Sequence, residues 1–197
     1  YGSDAAVEDL AKLLPDPELS SWARIALEAI PGDVAGAALK TATESLQGRL
    51  LVGTINSIGV RRDESSVDSL IPRLQNSDVE VASATAVALG RIGNTAASDA
   101  LRQALASAPV NVRTAIAEGC VLCAERLMLD GKASDAVAIY DEIRNADVPM
   151  QRIVEATRGA ILARGQDGIP LLVEQFRSTQ KPMFQLALIT AREFPGA

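Results

Sequence analysis

The sequence predicts an all-α fold: an α–α superhelix, a right-handed solenoid, of about six helix pairs. Three observations predict it. The 197 residues are 48% hydrophobic but only 3% aromatic, and 33 of them are alanine, the best helix former. Strands prefer aromatic and β-branched residues, so this composition favours helices over a sheet. A motif also recurs at a period of 31 residues, and turn-forming residues separate the repeated helices.

The repeat is clearest in residues 77–105, where two helical patterns flank a break at Gly93-Asn94. Within it, L-G-R-I at 89–92 matches I-G-V-R at 58–61 and L-E-A-I at 27–30, in successive steps of 31 residues. One later step is about ten residues longer, through 126–131. The chain is therefore expected to be one array, a single repeat domain over 1–197.

Each unit predicts a first and a second helix, delimited by stop and cap signals. First-type helices are expected near 19–30, 48–61, 79–92, 110–129, 149–164 and 182–194. Second-type helices are expected near 4–14, 33–46, 65–75, 95–107, 132–146 and 168–178. Asp33, Thr95 and Asp147 are the predicted N-caps. Pro72 falls inside one helix, which is expected either to kink there or to begin later.

The small residues have a structural reason in such an array. Alanine and glycine on the contacting faces let helix axes approach closely, while leucine, valine and isoleucine fill the gaps. No single pair can bury its apolar face alone, so the stack is the stable unit. One seam of small residues is expected in each repeat, and few aromatic residues are needed.

The bulk composition excludes several classes of function. The chain has no histidine, which excludes within it a Ser-His-Asp or Cys-His site and a histidine-bound metal. Its formal charge is −6, whereas a nonspecific nucleic-acid binder is usually basic. The apolar stretches are too short to span a membrane. Neither nucleic acid nor membrane is therefore an expected partner.

The segment 78–105 carries a D-x-x-V start, an A-x-A-L-G-x-I-G hinge and an A-x-x-x-L-x-x-x-L second helix. In these motifs it resembles the short HEAT-like repeat of the phycobilisome-lyase type, a family widespread in bacteria. The resemblance is strongest over 48–129 and weaker over 130–197. It implies a solenoid with first helices on the convex side and second helices on the concave side. It also implies a protein-binding scaffold, in a chain expected to be a fragment of a longer multidomain protein.

Cys120 and Cys123 form a C-x-x-C motif, which is typical of redox, metal-binding or haem sites. Haem attachment needs a histidine next, where Ala124 stands, and a zinc site needs two further ligands. In the repeat register the two cysteines occupy the places of Leu89 and Ile92. They are therefore predicted to be buried core residues, which free cysteines commonly are.

Three other groups are weaker candidates for chemistry. The turn 61–64 (R-R-D-E) could hold an anion, but its adjacent opposite charges favour a solvated loop. G-R-I-G at 90–93 lacks the strand and the lysine of a phosphate loop, which favours close helix packing. The acidic residues suggest no general acid–base pair. No catalytic residue, cofactor site or metal site is predicted.

The expected concave face offers a candidate partner-binding surface. Its exposed basic residues are predicted to be Lys12, Lys40, Arg73, Arg102, Arg144 and Arg177. Together with nearby carboxylates they could hold an acidic peptide or helix, or they could form an ordinary solvated surface. Trp22 and Tyr140 are possible interface anchors, but Trp22 is expected to be partly buried. Tyr140, Phe176 and Phe184 are expected in the core.

The sequence therefore favours a non-catalytic scaffold that binds a protein partner or an adjacent domain of its own chain. A first alternative is an accessory domain that positions a catalytic or substrate-binding domain of a larger enzyme. A second, by analogy with the phycobilisome-lyase relatives, is chromophore-lyase-type activity, although a fold does not imply a function.

Overall fold

The computed structural model describes residues 3–194, which form twelve α-helices and no strand. The first-type helices are α2 (Ser20–Ala29), α4 (Gly48–Arg61), α6 (Val79–Ile92), α8 (Val110–Leu129), α10 (Met150–Ala163) and α12 (Lys181–Glu193). The second-type helices are α1 (Val7–Lys12), α3 (Asp33–Ala42), α5 (Val67–Leu70), α7 (Thr95–Ser107), α9 (Ala133–Arg144) and α11 (Ile169–Phe176). The predicted all-α fold of stacked helix pairs is confirmed.

Neighbouring repeats make the principal contacts of the fold. Each first-type helix packs beside the next one, from α2 on α4 through to α10 on α12. Four second-type helices, α3, α7, α9 and α11, each contact the first-type helix before them and the one after, as α9 does with α8 and α10. Because packing is between neighbours in the chain, the architecture is a solenoid.

One core runs through most of the array and follows the repeat register. Leu27, Ile58, Leu89 and Cys120 stand 31 residues apart, and all four are fully buried. A smaller buried cluster in the last repeats consists of Ile161, Leu172 and Ala187. The periodic positions therefore form a continuous row of buried side chains along the stack. No helix within residues 3–194 is both long enough and apolar enough to cross a membrane.

Glycines form the predicted seam where first-type helices meet. A Cβ on Gly90 of α6 would lie 2.5 Å from the carbonyl oxygen of Gly119 in α8. A Cβ on Gly59 of α4 would lie 2.8 Å from the Cα of Ala88 in α6. Backbone touches backbone at both places, so only glycine fits. The G-R-I-G segment is thus a packing motif, as predicted.

Pro72 changes the second helix of its repeat. The α-helix α5 ends at Leu70, and Ile71–Gln75 continues as a 3-10 helix with Pro72 in its first turn. Proline lacks a backbone N–H and its ring clashes with the preceding turn, so a regular α-helix cannot pass through it. The prediction was a kink or a later start, and the structure instead shows a change from α-helix to 3-10 helix, with an α-helical part shorter than α7.

The predicted N-caps are wrong by one or more residues. Asp33 and Thr95 are the first residues of α3 and α7, and the capping positions before them are Gly32 and Asn94. The side chain of Asn94 accepts a 2.9 Å hydrogen bond from the N–H of Ala97. Pro149 rather than Asp147 precedes α10, because proline's fixed φ suits a helix entry.

Arginines tie successive repeats together. Arg24 of α2 donates to the carbonyl oxygen of Gly53 in α4 at 3.1 Å. In the reverse direction, the Arg61 guanidinium binds the carbonyl oxygens of Leu27, Glu28, Ile30 and Gly32 at and beyond the end of α2. These carbonyls have no partner within their helix, so Arg61 acts as its C-terminal cap.

Candidate functional site

The first three basic residues of the predicted binding face are bound within the chain. The Lys12 ammonium lies 3.1 Å from the carboxylates of both Glu8 and Asp9. The hydrogen bonds that it donates to Glu8 and Asp9 raise the pKa of Lys12. Lys40 donates to the carbonyl oxygen of Ser65 at 2.7 Å. Arg73 donates to the carbonyl oxygen of Thr43 at 2.8 Å. These side chains are therefore held by their own fold.

Two of the remaining three are also paired. Arg102 of α7 forms a two-point ion pair with Glu142 of α9, with its Nε 2.8 Å from Oε2. Arg144 lies 2.9 Å from Asp141. Arg177 is exposed and forms no side-chain hydrogen bond or ion pair within residues 3–194. The six residues thus form no single free basic patch, and their binding role stays a prediction.

A charged cleft lies between α7 and α9. It encloses about 360 Å³ and carries both signs of charge on its walls. Its acidic residues are Glu64, Asp99, Asp130 and Asp135, and its basic residues are Arg102, Arg126 and Lys132. Arg126 and Asp130 pair across 3.4 Å at one end. The cleft therefore offers charged groups of both signs to an incoming surface.

A groove of mixed polarity lies on the other flank of α7. It encloses about 520 Å³ between the 3-10 segment Ile71–Gln75 and the last turns of α7. Its apolar lining comprises Ile71, Leu74, Ala100, Ala104, Ala108, Pro109, Val112 and Ile116, and its polar rim includes Gln75, Asn76, Gln103 and Ser107. One side of the groove is the 3-10 segment that contains Pro72. The sequence analysis did not predict this groove, although it did predict an irregular helix at Pro72, in the segment that lines it.

The two cysteines are core residues. Cys120 and Cys123 are buried and unbridged, and the Cys123 sulfur lies 3.8 Å from the carbonyl oxygen of Gly90. Burial raises the pKa of the Cys120 thiol, and it raises the pKa of Cys123 to about 12. A thiol held neutral and away from solvent is a poor nucleophile and a poor metal ligand. The packing interpretation of the C-x-x-C motif is confirmed.

The remaining candidates are structural in the same way. Arg152 of α10 forms ion pairs with Glu118 and Glu155, both at 2.6 Å. At the 61–64 turn, burial acts to raise the pKa of Asp63, but hydrogen bonds from Ser66 and Ser65 outweigh it and lower that pKa. No cluster of three potential metal ligands occurs within residues 3–194. These charges serve the fold.

The aromatic residues divide into two groups. Tyr140 is buried, as predicted, with its ring against Gly159. Trp22 is 72% exposed, so the expectation of partial burial is wrong. Phe176 and Phe184, expected in the core, are 37% and 41% exposed, and their rings meet edge to face at 6.2 Å. The exposed residues are Trp22, Phe176 and Phe184, and they are exposed because they lie at the two ends of the described array.

The family model for HEAT repeats matches residues 49–120, the stretch that contains α4 to α7 and most of α8. Over these 72 of the 197 residues, the chain is similar to HEAT repeats. The glycine seam between α4, α6 and α8 lies within this stretch. The predicted resemblance is confirmed, and the pairing of helices extends the same solenoid architecture on both sides.

Solved structures show the same fold. One is the complex of CpcE and CpcF of phycocyanin lyase from Nostoc sp. PCC7120, at 20% identity and a TM-score of 0.59, covering 93% of this chain and 75% of that chain. Another is an engineered protein, at 17% identity and a TM-score of 0.54, covering 95% and 96%. No curated protein sequence matches the chain significantly. At these identities the likeness shows the fold alone, a solenoid of stacked helix pairs.

Proposed function

We propose that this HEAT-repeat chain is a non-catalytic scaffold that binds a protein partner along α7. HEAT-type solenoids present extended surfaces suited to protein partners. The observation that carries the proposal is the pair of recesses that flank α7, the groove of mixed polarity on one side and the charged cleft on the other. Burial of the two thiols and ion pairing of Glu118 and Glu155 support a role without catalysis.

The two recesses define the partner's chemistry. Apolar anchors of the partner would enter the groove beside Ala104, where Gln103 and Ser107 on the rim can hydrogen-bond to its backbone or polar groups. Its charged residues would meet Asp99 and Lys132 in the cleft. The 13 residues of α7 span about 20 Å, enough for several turns of a helical segment. An amphipathic helix with charges of both signs fits this surface.

Site-specific photo-crosslinking tests the proposal. A photoreactive amino acid at Gln103 on the groove rim is expected to capture a specific partner in extracts of the source cells. The same probe at Arg91, exposed on the first-type helix α6, serves as the position control. Equal capture at both positions would contradict binding along α7.

A matched pair of substitutions gives the second test. Ala104→Glu places a carboxylate in the groove and is expected to abolish capture at Gln103. Ala96 is exposed on the same helix, outside the groove, so Ala96→Glu is expected to leave capture at Gln103 unchanged. Circular dichroism checks that both variants keep the helical fold. Capture that survives Ala104→Glu in a folded protein would exclude the groove as the binding site.

A further inference from the structure

Each first-type helix has one side that faces the next first-type helix, and we call this its forward side. In α6 the positions Ala82, Ala86 and Gly90 are one helical turn apart, and all three are buried. Ala86 and Gly90 lie against Gly119 of α8. This row of positions is therefore the surface on which the next first-type helix packs.

Helix α12 exposes the equivalent row. Its buried residues Met183, Ala187 and Thr190 hold the register places of Val81, Thr85 and Ala88, 102 residues earlier. In the same register, Phe184, Leu188 and Arg192 hold the forward places of Ala82, Ala86 and Gly90.

These forward residues are uncovered. Phe184 is 41% exposed and Leu188 is 46% exposed, and Phe176 of α11 extends the patch through its contact with Phe184. Phe176, Phe184 and Leu188 form what we call the C-terminal end face.

Helix α2 exposes its backward side, the side that would face a preceding first-type helix. Trp22 stands 31 residues before Gly53 and 62 before Ala84. Gly53 faces the preceding first-type helix, since a Cβ there would lie 2.7 Å from the Arg24 guanidinium carbon of α2. No first-type helix precedes α2 within residues 3–194. Trp22 and its exposed neighbour Leu19 form what we call the N-terminal end face.

The two end faces carry opposite charge around their apolar residues. Residues 4–24 around the N-terminal end face hold five acidic and two basic side chains. Residues 169–194 around the C-terminal end face hold three basic and two acidic ones, and the exposed Arg192 stands on the forward row itself. Aromatic anchors within a charged rim are typical of the centre of a protein interface.

We propose that two copies of this chain stack end to end, with the C-terminal end face of one on the N-terminal end face of the other. The occupant is a second copy because its α2 presents a backward side with exposed apolar residues to the exposed apolar residues on the forward side of α12, with complementary charge around them. The contact joins two different surfaces, so each added copy leaves one face of each kind free. This stacking is independent of partner binding along α7.

Two variants, each with one disabled face, test the proposal by sedimentation velocity. The average mass of the wild-type chain is expected to rise above that of a monomer as its concentration increases. Trp22→Glu and the double variant Phe184→Glu with Leu188→Glu are each expected to remain monomeric. Because each retains the face that the other lacks, an equimolar mixture is expected to form a dimer and nothing larger.

Controls separate this stacking from other occupants. Ile189→Glu, on α12 at a position 58% exposed but off the forward row, is expected to associate like the wild type. The altered residues are exposed, and circular dichroism checks their folding. A wild-type chain that stays monomeric at every concentration would overturn the proposal and leave the faces to a different partner. Dimerisation of Trp22→Glu alone would overturn it too, since the C-terminal end face would then pair with itself.

Discussion

The seam glycines should be among the least replaceable residues of the fold, and Gly90→Ala tests this most directly. The added Cβ would lie 2.5 Å from the carbonyl oxygen and 2.6 Å from the Cα of Gly119. Both atoms belong to the backbone of α8, so no change of side-chain rotamer relieves the clash. The helices α6 and α8 must move apart, and the close packing between them is lost along the seam.

The expected loss of stability is about 2 kcal/mol. Overpacking typically costs about 1–3 kcal/mol, and a rigid backbone contact falls at the upper end of that range. Replacing glycine by alanine within a helix stabilises it by about 1 kcal/mol, which offsets part of the cost. In a protein of this size, each 1 kcal/mol lowers Tm by about 2–4 °C, so Gly90→Ala should melt about 4–8 °C below the wild type.

Gly53→Ala is the matched control. Its Cβ would lie 2.7 Å from the Arg24 guanidinium, the movable end of a long side chain. The same gain in helix propensity is then offset by weakening the hydrogen bond from Arg24 to the Gly53 carbonyl, about 1 kcal/mol, so the net change should be near zero. Thermal and urea unfolding followed by circular dichroism measure both variants. Equal stability of Gly90→Ala and Gly53→Ala would refute the backbone-contact argument.

Three further predictions follow from the caps and the thiols. Arg61→Ala should lower the free energy of unfolding by about 2 kcal/mol, since carbonyls at the end of α2 lose their charged donor, whereas Arg91→Ala on the surface should change it little in the same urea titration. Thiol reagents should label Cys120 and Cys123 slowly in the native protein and rapidly in urea. As pH rises from 9 towards 12, the unfolded thiols ionise while the buried ones stay protonated, so stability should fall; replacing both with alanine should flatten that pH dependence.

The interior of the array could be predicted from the sequence because its contacts repeat. Each pair packs on its neighbours in the same way, so one register places Leu27, Ile58, Leu89 and Cys120 in the same environment. That register also assigned the C-x-x-C motif to packing. In such a fold, a position's neighbours are known once the period is known.

The binding surface was less predictable because it depends on departures from the period. Arg102 is a surface arginine by helical spacing, but its partner Glu142 stands 40 residues away, across the lengthened repeat. Spacing within one repeat could not show that ion pair. The groove likewise lies beside the 3-10 segment that contains Pro72, where this second helix departs from the regular α-helix seen in α7.

At the exposed aromatic residues, the 31-residue register alone does not predict burial. Large apolar side chains are predicted to be buried, yet Trp22, Phe184 and Leu188 are exposed. The seam positions that match them hold Gly53, Ala82 and Ala86, which a neighbouring helix covers and which are buried. Size alone does not decide burial there, because Leu51 and Ile55 of α4 hold the same forward places as Ala82 and Ala86 and are buried where α6 packs on them. What distinguishes Phe184 and Leu188 is that no first-type helix follows α12 within residues 3–194, just as none precedes α2 there to cover Trp22. The register therefore places these side chains on the two faces that we propose to meet between copies.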